Sequence, residues 1–285
     1  MEPLRPWLAA SRPERALLAP LCVAVGSSYA HFDAHRGPGH SVHLVVALAA
    51  FAAALGVNLF DYAWVRLGAP PPDPKTPVPE ELVTVDARDA IAAGVAAIVL
   101  SALCGLALAP LSGAALLGYG AGAVVLGVLR GAPVVGLDTL GWGLGEIASV
   151  VAFGPLAAMA GFASQTGTGS TGAFLAGLPA GLVATAGLFG RRGGDPNLEG
   201  EVERGIAVAL PLLAAGAIAL AARSGEYGPW APVAALPLIV ASGVAWRLPP
   251  RPTAADFARW ERPVLACAAL ALAVIVGSLA LAPPR

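Results

Sequence analysis

The chain has 285 residues, of which 57% are hydrophobic and only 12% charged, with a mean hydropathy of +0.73. A soluble domain carries about 25% charged residues, so the composition excludes an ordinary soluble globule and implies an integral membrane protein. The formal net charge of −1 gives no reason to expect a nucleic-acid partner.

The first apolar run, Ala16 to Ala30, is followed by no small-residue cleavage pattern, so a removable leader is not expected. A membrane crossing needs about 20 mostly apolar residues. Nine stretches are predicted to cross, within a single domain covering residues 1–285: 16–31, 42–62, 89–109, 111–129, 144–163, 173–190, 205–222, 230–246 and 263–282. They are continuous apolar runs without alternation, which argues for an all-α bundle and against a β-barrel. Gly and Ala dominate them, as suits helices that approach closely in a membrane. Cys22, Cys104 and Cys267 all fall inside these runs and read as small core residues, neither a disulfide framework nor a metal set.

All four histidines lie between the first two runs, at His31, His35, His40 and His43. His31 and His35 have helical spacing and such density can bind Zn²⁺, but the Gly37-Pro38-Gly39 break favours an exposed loop. The second run ends in Asn58-Leu59-Phe60-Asp61-Tyr62, and the loop after it carries Arg66, Asp73 and Lys75. Prolines 70, 71, 72, 74, 77 and 79 make that loop extended. Asn58 and Asp61, three residues apart, share one helix face. Near Pro110 the connection is so short that the third and fourth runs should form a tight antiparallel hairpin. Glu146 falls near one end of the fifth run. An acid inside a membrane is a functional candidate, here for a cationic partner or an acceptor, and a helix-end acid reaching the interface is the equal alternative. Thr166 to Gly172 lacks the Gly-Lys-Ser/Thr end of a phosphate-binding loop.

After the sixth run comes Gly190-Arg191-Arg192-Gly193-Gly194-Asp195-Pro196-Asn197-Leu198-Glu199. Asp195 and Glu199 have i, i+4 spacing, next to two guanidinium groups. Placing the N-terminus in the cytoplasm puts fourteen of the 17 basic residues on the cytoplasmic side and leaves Arg36, Arg223 and Arg285 outside. The expected location is therefore the inner (plasma) membrane, with an active face on the cytoplasmic side. Two clusters of carboxylate and amide oxygens on one face suit Mg²⁺, which commonly shares its coordination with a substrate phosphate. Arg66, Lys75, Arg191 and Arg192 could hold phosphate oxygens directly.

On these motifs the chain resembles the UbiA superfamily of intramembrane aromatic prenyltransferases, and within it the 1,4-dihydroxy-2-naphthoate polyprenyltransferase branch. The resemblance takes in Ser11-Arg12-Pro13-Glu14-Arg15 with Pro20 and Gly26, and Gly56 to Tyr62. It continues through Gly143-Leu144-Gly145-Glu146, Phe153-Gly154-Pro155-Leu156, Gln165-Thr166-Gly167 and Leu178 to Leu182. It implies a nine-helix bundle, Mg²⁺ as cofactor, and a polyprenyl diphosphate and an aromatic quinone precursor as substrates in menaquinone-type biosynthesis. Asp61, Asp195 and Glu199 would be catalytic, with Asn58 and Asp73 joining them as metal ligands; Arg66, Lys75, Glu146, Arg191 and Arg192 would bind substrate. The chain departs from the family pattern in both motifs: Trp64 and Val65 stand near the next expected acid, Arg191 and Arg192 replace upstream asparagines, and Glu201, Glu203 and Arg204 replace the lysine-rich continuation. Asn58 is followed by an acid after three residues where the family form N-x-x-x-D-x-x-x-D has four, and Glu199 stands for an aspartate. The competing expectation is a catalytically inactive relative that binds membrane lipid or a partner.

Overall fold

Away from water, every backbone N–H and C=O must find its partner within the chain, and apolar runs of this length do so as helices. The computed structural model describes residues 4–33, 40–68, 85–132, 136–137, 143–189, 200–249 and 254–284, and all regular structure among them is helical. Two short helices, α1 (Arg5–Ser11) and α2 (Pro13–Ala16), lead into α3 (Leu18–Phe32). Next come α4 (His40–Gly68), α5 (Ala87–Ser112) and α6 (Ala115–Gly131). Then α7 (Leu144–Val151) runs through a π-helical turn (Ala152–Leu156) into α8 (Ala157–Thr166). The chain continues with α9 (Thr171–Leu188) and α10 (Gly200–Arg223). A 3₁₀ turn (Ala231–Ala234) precedes α11 (Ala235–Trp246), and α12 (Ala254–Leu281) ends the bundle. The described residues of the nine predicted runs are mostly helical, the sixth run ending just beyond them. Among the described residues six helical segments are long and apolar enough to cross a membrane, and the apolar Ala115–Gly131 and Ala231–Trp246 are shorter. This is the build of a multi-pass membrane protein.

Local chemistry sets the helix ends. Asp86 accepts the Arg88 amide at 2.7 Å to start α5, and Ser170 accepts from Gly172 and Ala173 to start α9. The Pro110 region forms the expected tight hairpin, with only Gly113 and Ala114 between α5 and α6. Gly113 takes φ 74° there, a conformation that favours glycine. Within the Thr166–Gly172 stretch, Gly167 to Ser170 form the turn between α8 and α9. One boundary differs from expectation: α4 continues past Tyr62 to Gly68, so Arg66 is helical. No proline or glycine interrupts the chain between Asn58 and Leu67, and the helix runs until the first such residue. The π-helical turn contains Pro155. Proline offers no N–H and crowds the preceding turn, and a locally wider helix accommodates both.

Helices α3, α8, α9 and α12 make the interior, while α4 and α5 stay mostly on the periphery. Association in lipid relies on close packing, because lipid tails are as apolar as the side chains. The α3–α8 contact shows it. A Cβ on Gly26 would lie 1.8 Å from the Ala158 carbonyl oxygen, and one on Gly161 would lie 2.0 Å from that of Val23. Backbones touch where side chains are missing. Between α3, α4, α5, α6 and the α7–α8 pass the packing opens into a cavity.

Candidate functional site

The cavity has a volume of about 560 Å³, well within the range of ligand sites. Along α4 its wall extends from Val46 to Asp61, and along α6 from Leu116 to Arg130. Fifteen helical residues rise about 22 Å, so the cavity runs much of the length of a membrane crossing. Its polar lining residues are Arg15, Asn58, Asp61, Ser101, Arg130 and Ser149, and the rest are apolar or glycine. Arg15 precedes α3, Asn58 and Asp61 lie two to three turns before the end of α4, and Arg130 lies in the last turn of α6. Consecutive passes alternate in direction, so these four share one end of the bundle. The cavity is polar at that mouth and almost wholly apolar below it.

The mouth is built by the N-terminal segment folding over the end of α4. Ala10, Leu59, Ala63, Val85 and Ala90 form a small core there, with Trp7 and Tyr62 packed against it. Between α1 and α2 the chain turns sharply at Arg12, which has φ 43° and ψ 63° and is the only described non-glycine residue with positive φ. This left-handed conformation costs on the order of 1 kcal/mol. The Asn58 side chain helps hold it, donating from Nδ2 to the carbonyls of Ser11 (3.0 Å) and Arg12 (3.4 Å). Asn58 therefore spends its donor on the backbone, and the atom it can offer a cation is its carbonyl oxygen. The turn carries Arg15 to the cavity, where Nε pairs with Oε1 of Glu261 on α12; the two side chains are 4% and 15% exposed. Asp61 and Arg130 are also buried, at 7% and 6% exposure.

The sequence-derived candidates divide into three groups. Asn58 and Asp61 come together on one face and line the mouth. Arg66 is exposed one turn beyond them, outside the lining; its guanidinium lies over the Tyr62 ring at 5.7 Å, and its Nε donates to the Tyr62 hydroxyl at 3.3 Å. Glu146 is in the first turn of α7 and also outside the lining. Its carboxylate oxygens are buried, one of them near the Cα of Gly143, so the acid folds back over its own helix N-terminus. A negative charge is favoured there by the helix dipole. Asp73, Lys75, Arg191, Arg192, Asp195 and Glu199 lie outside the described residues. Leu188, which lines the cavity, precedes the last four of these in sequence.

Arg15 and Arg130 line the cavity mouth, and sequence reasoning did not single them out for it. Each is one arginine at the end of an apolar run, a pattern that reads first as membrane topology. The opposite end of the bundle carries different chemistry. Tyr29 donates to Glu226 at 2.7 Å, and Gln165 Nε2 lies 3.2 Å from Nδ1 of His43. Burial pushes the Tyr227 phenol far above its usual range, and its hydroxyl donates to the Ala176 carbonyl. Among the described residues no three His, Cys, Asp or Glu side chains gather as a metal site, which leaves His31 and His43 without a zinc cluster.

No protein-family model matches this sequence, and no curated protein does. Several solved structures share the fold. One, described as digeranylgeranylglyceryl phosphate synthase in membranes, has 13% identity and a TM-score of 0.58, covering 98% of this chain and 99% of its own. A UbiA homologue from Archaeoglobus fulgidus bound to GPP and Mg²⁺ has 14% identity and a TM-score of 0.55, covering 94% and 99%. The same protein bound to DMAPP and Mg²⁺ gives 14% identity and a TM-score of 0.56 over the same shares. At such identities the likeness is one of fold, and it extends over nearly the whole chain.

Proposed function

We propose that the protein is a Mg²⁺-dependent intramembrane prenyltransferase that moves a polyprenyl group from its diphosphate to an aromatic quinone precursor. The observation that carries this reading is the cavity: about 22 Å of apolar wall ending in Asn58, Asp61, Arg15 and Arg130. A lipid diphosphate has the matching division, a long hydrocarbon tail and one strongly anionic head. Solved structures of this fold hold GPP or DMAPP together with Mg²⁺, which supports the same ligand class here.

The donor set fits the ion. Asp61 offers carboxylate oxygen and Asn58 amide oxygen, the hard donors Mg²⁺ prefers. Bound there, Mg²⁺ would neutralise charge on the diphosphate and make it a better leaving group. The formal charges of Arg15, Arg130, Asp61 and Glu261 cancel, so holding an anionic head calls for further cations. In this reading Mg²⁺ supplies part of them, and Lys75, Arg191 and Arg192 the rest. Asp195 and Glu199 complete the ligand set, with Asp73 as a further ligand. Guanidinium N–H groups of Arg15 and Arg130 stabilise negative charge as it grows on the diphosphate oxygen. The allylic C–O bond breaks with its electron pair leaving on that oxygen. A ring carbon of the acceptor then bonds to the allylic carbon and loses its proton. The apolar wall keeps water from capturing the allylic cation.

A second reading has observations of its own. Asn58 is engaged in holding the α1–α2 turn, and the spacing to Asp61 departs from the family form. A bundle that binds prenyl lipid without turning it over would tolerate both. Purified protein incubated with Mg²⁺, polyprenyl diphosphates and 1,4-dihydroxy-2-naphthoate should yield prenylated product. Metal-dependent binding of an inert prenyl thiodiphosphate without product from any acceptor would favour the second reading. Absence of binding would remove both.

A further inference from the structure

We infer that the closed far end of the cavity sets the length of the prenyl tail, at about four five-carbon units, with Val46, Leu108 and Leu116 as the residues that fix it. The inference rests on the proposed function and specifies its lipid substrate. These three side chains line the cavity at the end away from Asp61 and are only 5%, 7% and 5% exposed. They belong to the main hydrophobic core, packed with α3, α8 and α9. A tail reaching them meets a packed interior, which it cannot enter without displacing well-fitted side chains.

The distance from the mouth decides the number. Val46 and Asp61 are fifteen residues apart on α4, a rise of about 22 Å. Four carbon–carbon bonds of about 1.5 Å advance an extended five-carbon unit by about 5 Å. A tail of four units fills that span from an allylic carbon held beside Asp61. One of two units stops near Ala53, halfway down, and one of eight is twice too long. The wall is not closed everywhere. Leu106 on α5 and Val125 on α6 line the cavity and are 56% and 54% exposed, so between these helices the cavity gives onto the outer surface. A longer tail therefore has one alternative to the floor, which is to leave sideways into lipid through this seam. The two routes predict different sensitivities to substitution.

The test uses the full-length protein in lipid nanodiscs with Mg²⁺ and thiodiphosphate analogues of two, four, six and eight units, read by titration calorimetry. Each extra methylene-sized mismatch in an apolar pocket is worth about tenfold or more, so the four-unit analogue should bind at least about tenfold more tightly than the eight-unit one. Leu116→Ala should shift the optimum to longer tails, and Ala53→Phe should shift it to two units. If Leu116→Ala fails to fold, Leu108→Ala makes the same prediction. Equal affinity for four, six and eight units overturns the inference, as does an optimum that ignores the floor variants and responds to Val125→Phe at the seam. Metal-dependent binding of every length with no floor effect leaves the proposed function standing and ends only this inference. No binding of any length ends both.

Discussion

At the scale of single residues, the mouth of the cavity separates groups that line it from groups that hold the lining in place. Asp61 is the one described carboxylate lining the cavity, and Asp61→Asn should lower metal-dependent affinity for a prenyl thiodiphosphate by about 100-fold, as losing a charged ligand implies; unchanged affinity would remove it from the site. Arg15 acts with Glu261. Glu261→Gln leaves a buried guanidinium without its counter-charge and should destabilise the fold by about 3 kcal/mol. Replacing both with Met should recover most of that stability in a thermal-shift measurement while diphosphate binding stays weak. Recovery of binding as well would make Arg15 purely structural. The same scale shows what the sequence could reveal. The shared face of Asn58 and Asp61 follows from their spacing alone. The roles of Arg15 and Arg130 do not, since a lone arginine ending an apolar run satisfies the positive-inside rule whether or not it faces a cavity. Nor could spacing reveal that Asn58 would use its amide on the Ser11 and Arg12 carbonyls.

At the scale of elements, hydropathy located every long helix, and the glycines explain how they pack. The cavity exists because α4, α5 and α6 stand away from the tight α3–α8 pair. Gly26→Ala would push a methyl group into the Ala158 carbonyl and should cost about 1–3 kcal/mol or more as the pair is forced apart, measurable as a lowered melting temperature; an unshifted transition would contradict the close approach. The π-helical turn was not legible beforehand, although Pro155 is plain in the sequence. A proline inside an apolar run can kink, end or widen a helix, and the outcome depends on packing that the sequence does not show: here Gly154 and Pro155 pack closely on Gly177, and Gly154 on Gly181, of α9.

At the scale of the whole molecule, chemistry is distributed unequally between the two ends. One end gathers Arg15, Asn58, Asp61, Arg130 and Glu261; the other offers Tyr29 with Glu226 and His43 with Gln165. The basic residues predict that the first end is cytoplasmic. In a variant lacking the three native cysteines, Arg88→Cys should react with a membrane-impermeant thiol reagent only after permeabilisation, and Ser224→Cys should react in intact cells. The reverse pattern would invert the topology. The count of nine crossings expected from apolar run length is consistent with this same asymmetry, because one crossing more or fewer would scramble the sides.

The ion pair between Arg15 and Glu261 has a practical corollary for handling the protein. It joins the segment leading into α3 to the first turns of α12 right at the cavity mouth, so a bulky label attached to α1 would crowd that mouth. From Ala254 to Leu281, α12 rises roughly 40 Å and carries the chain to the other end of the bundle. Fluorophores and surface tethers belong at that end, for example at Ser224, where they leave the cavity mouth open.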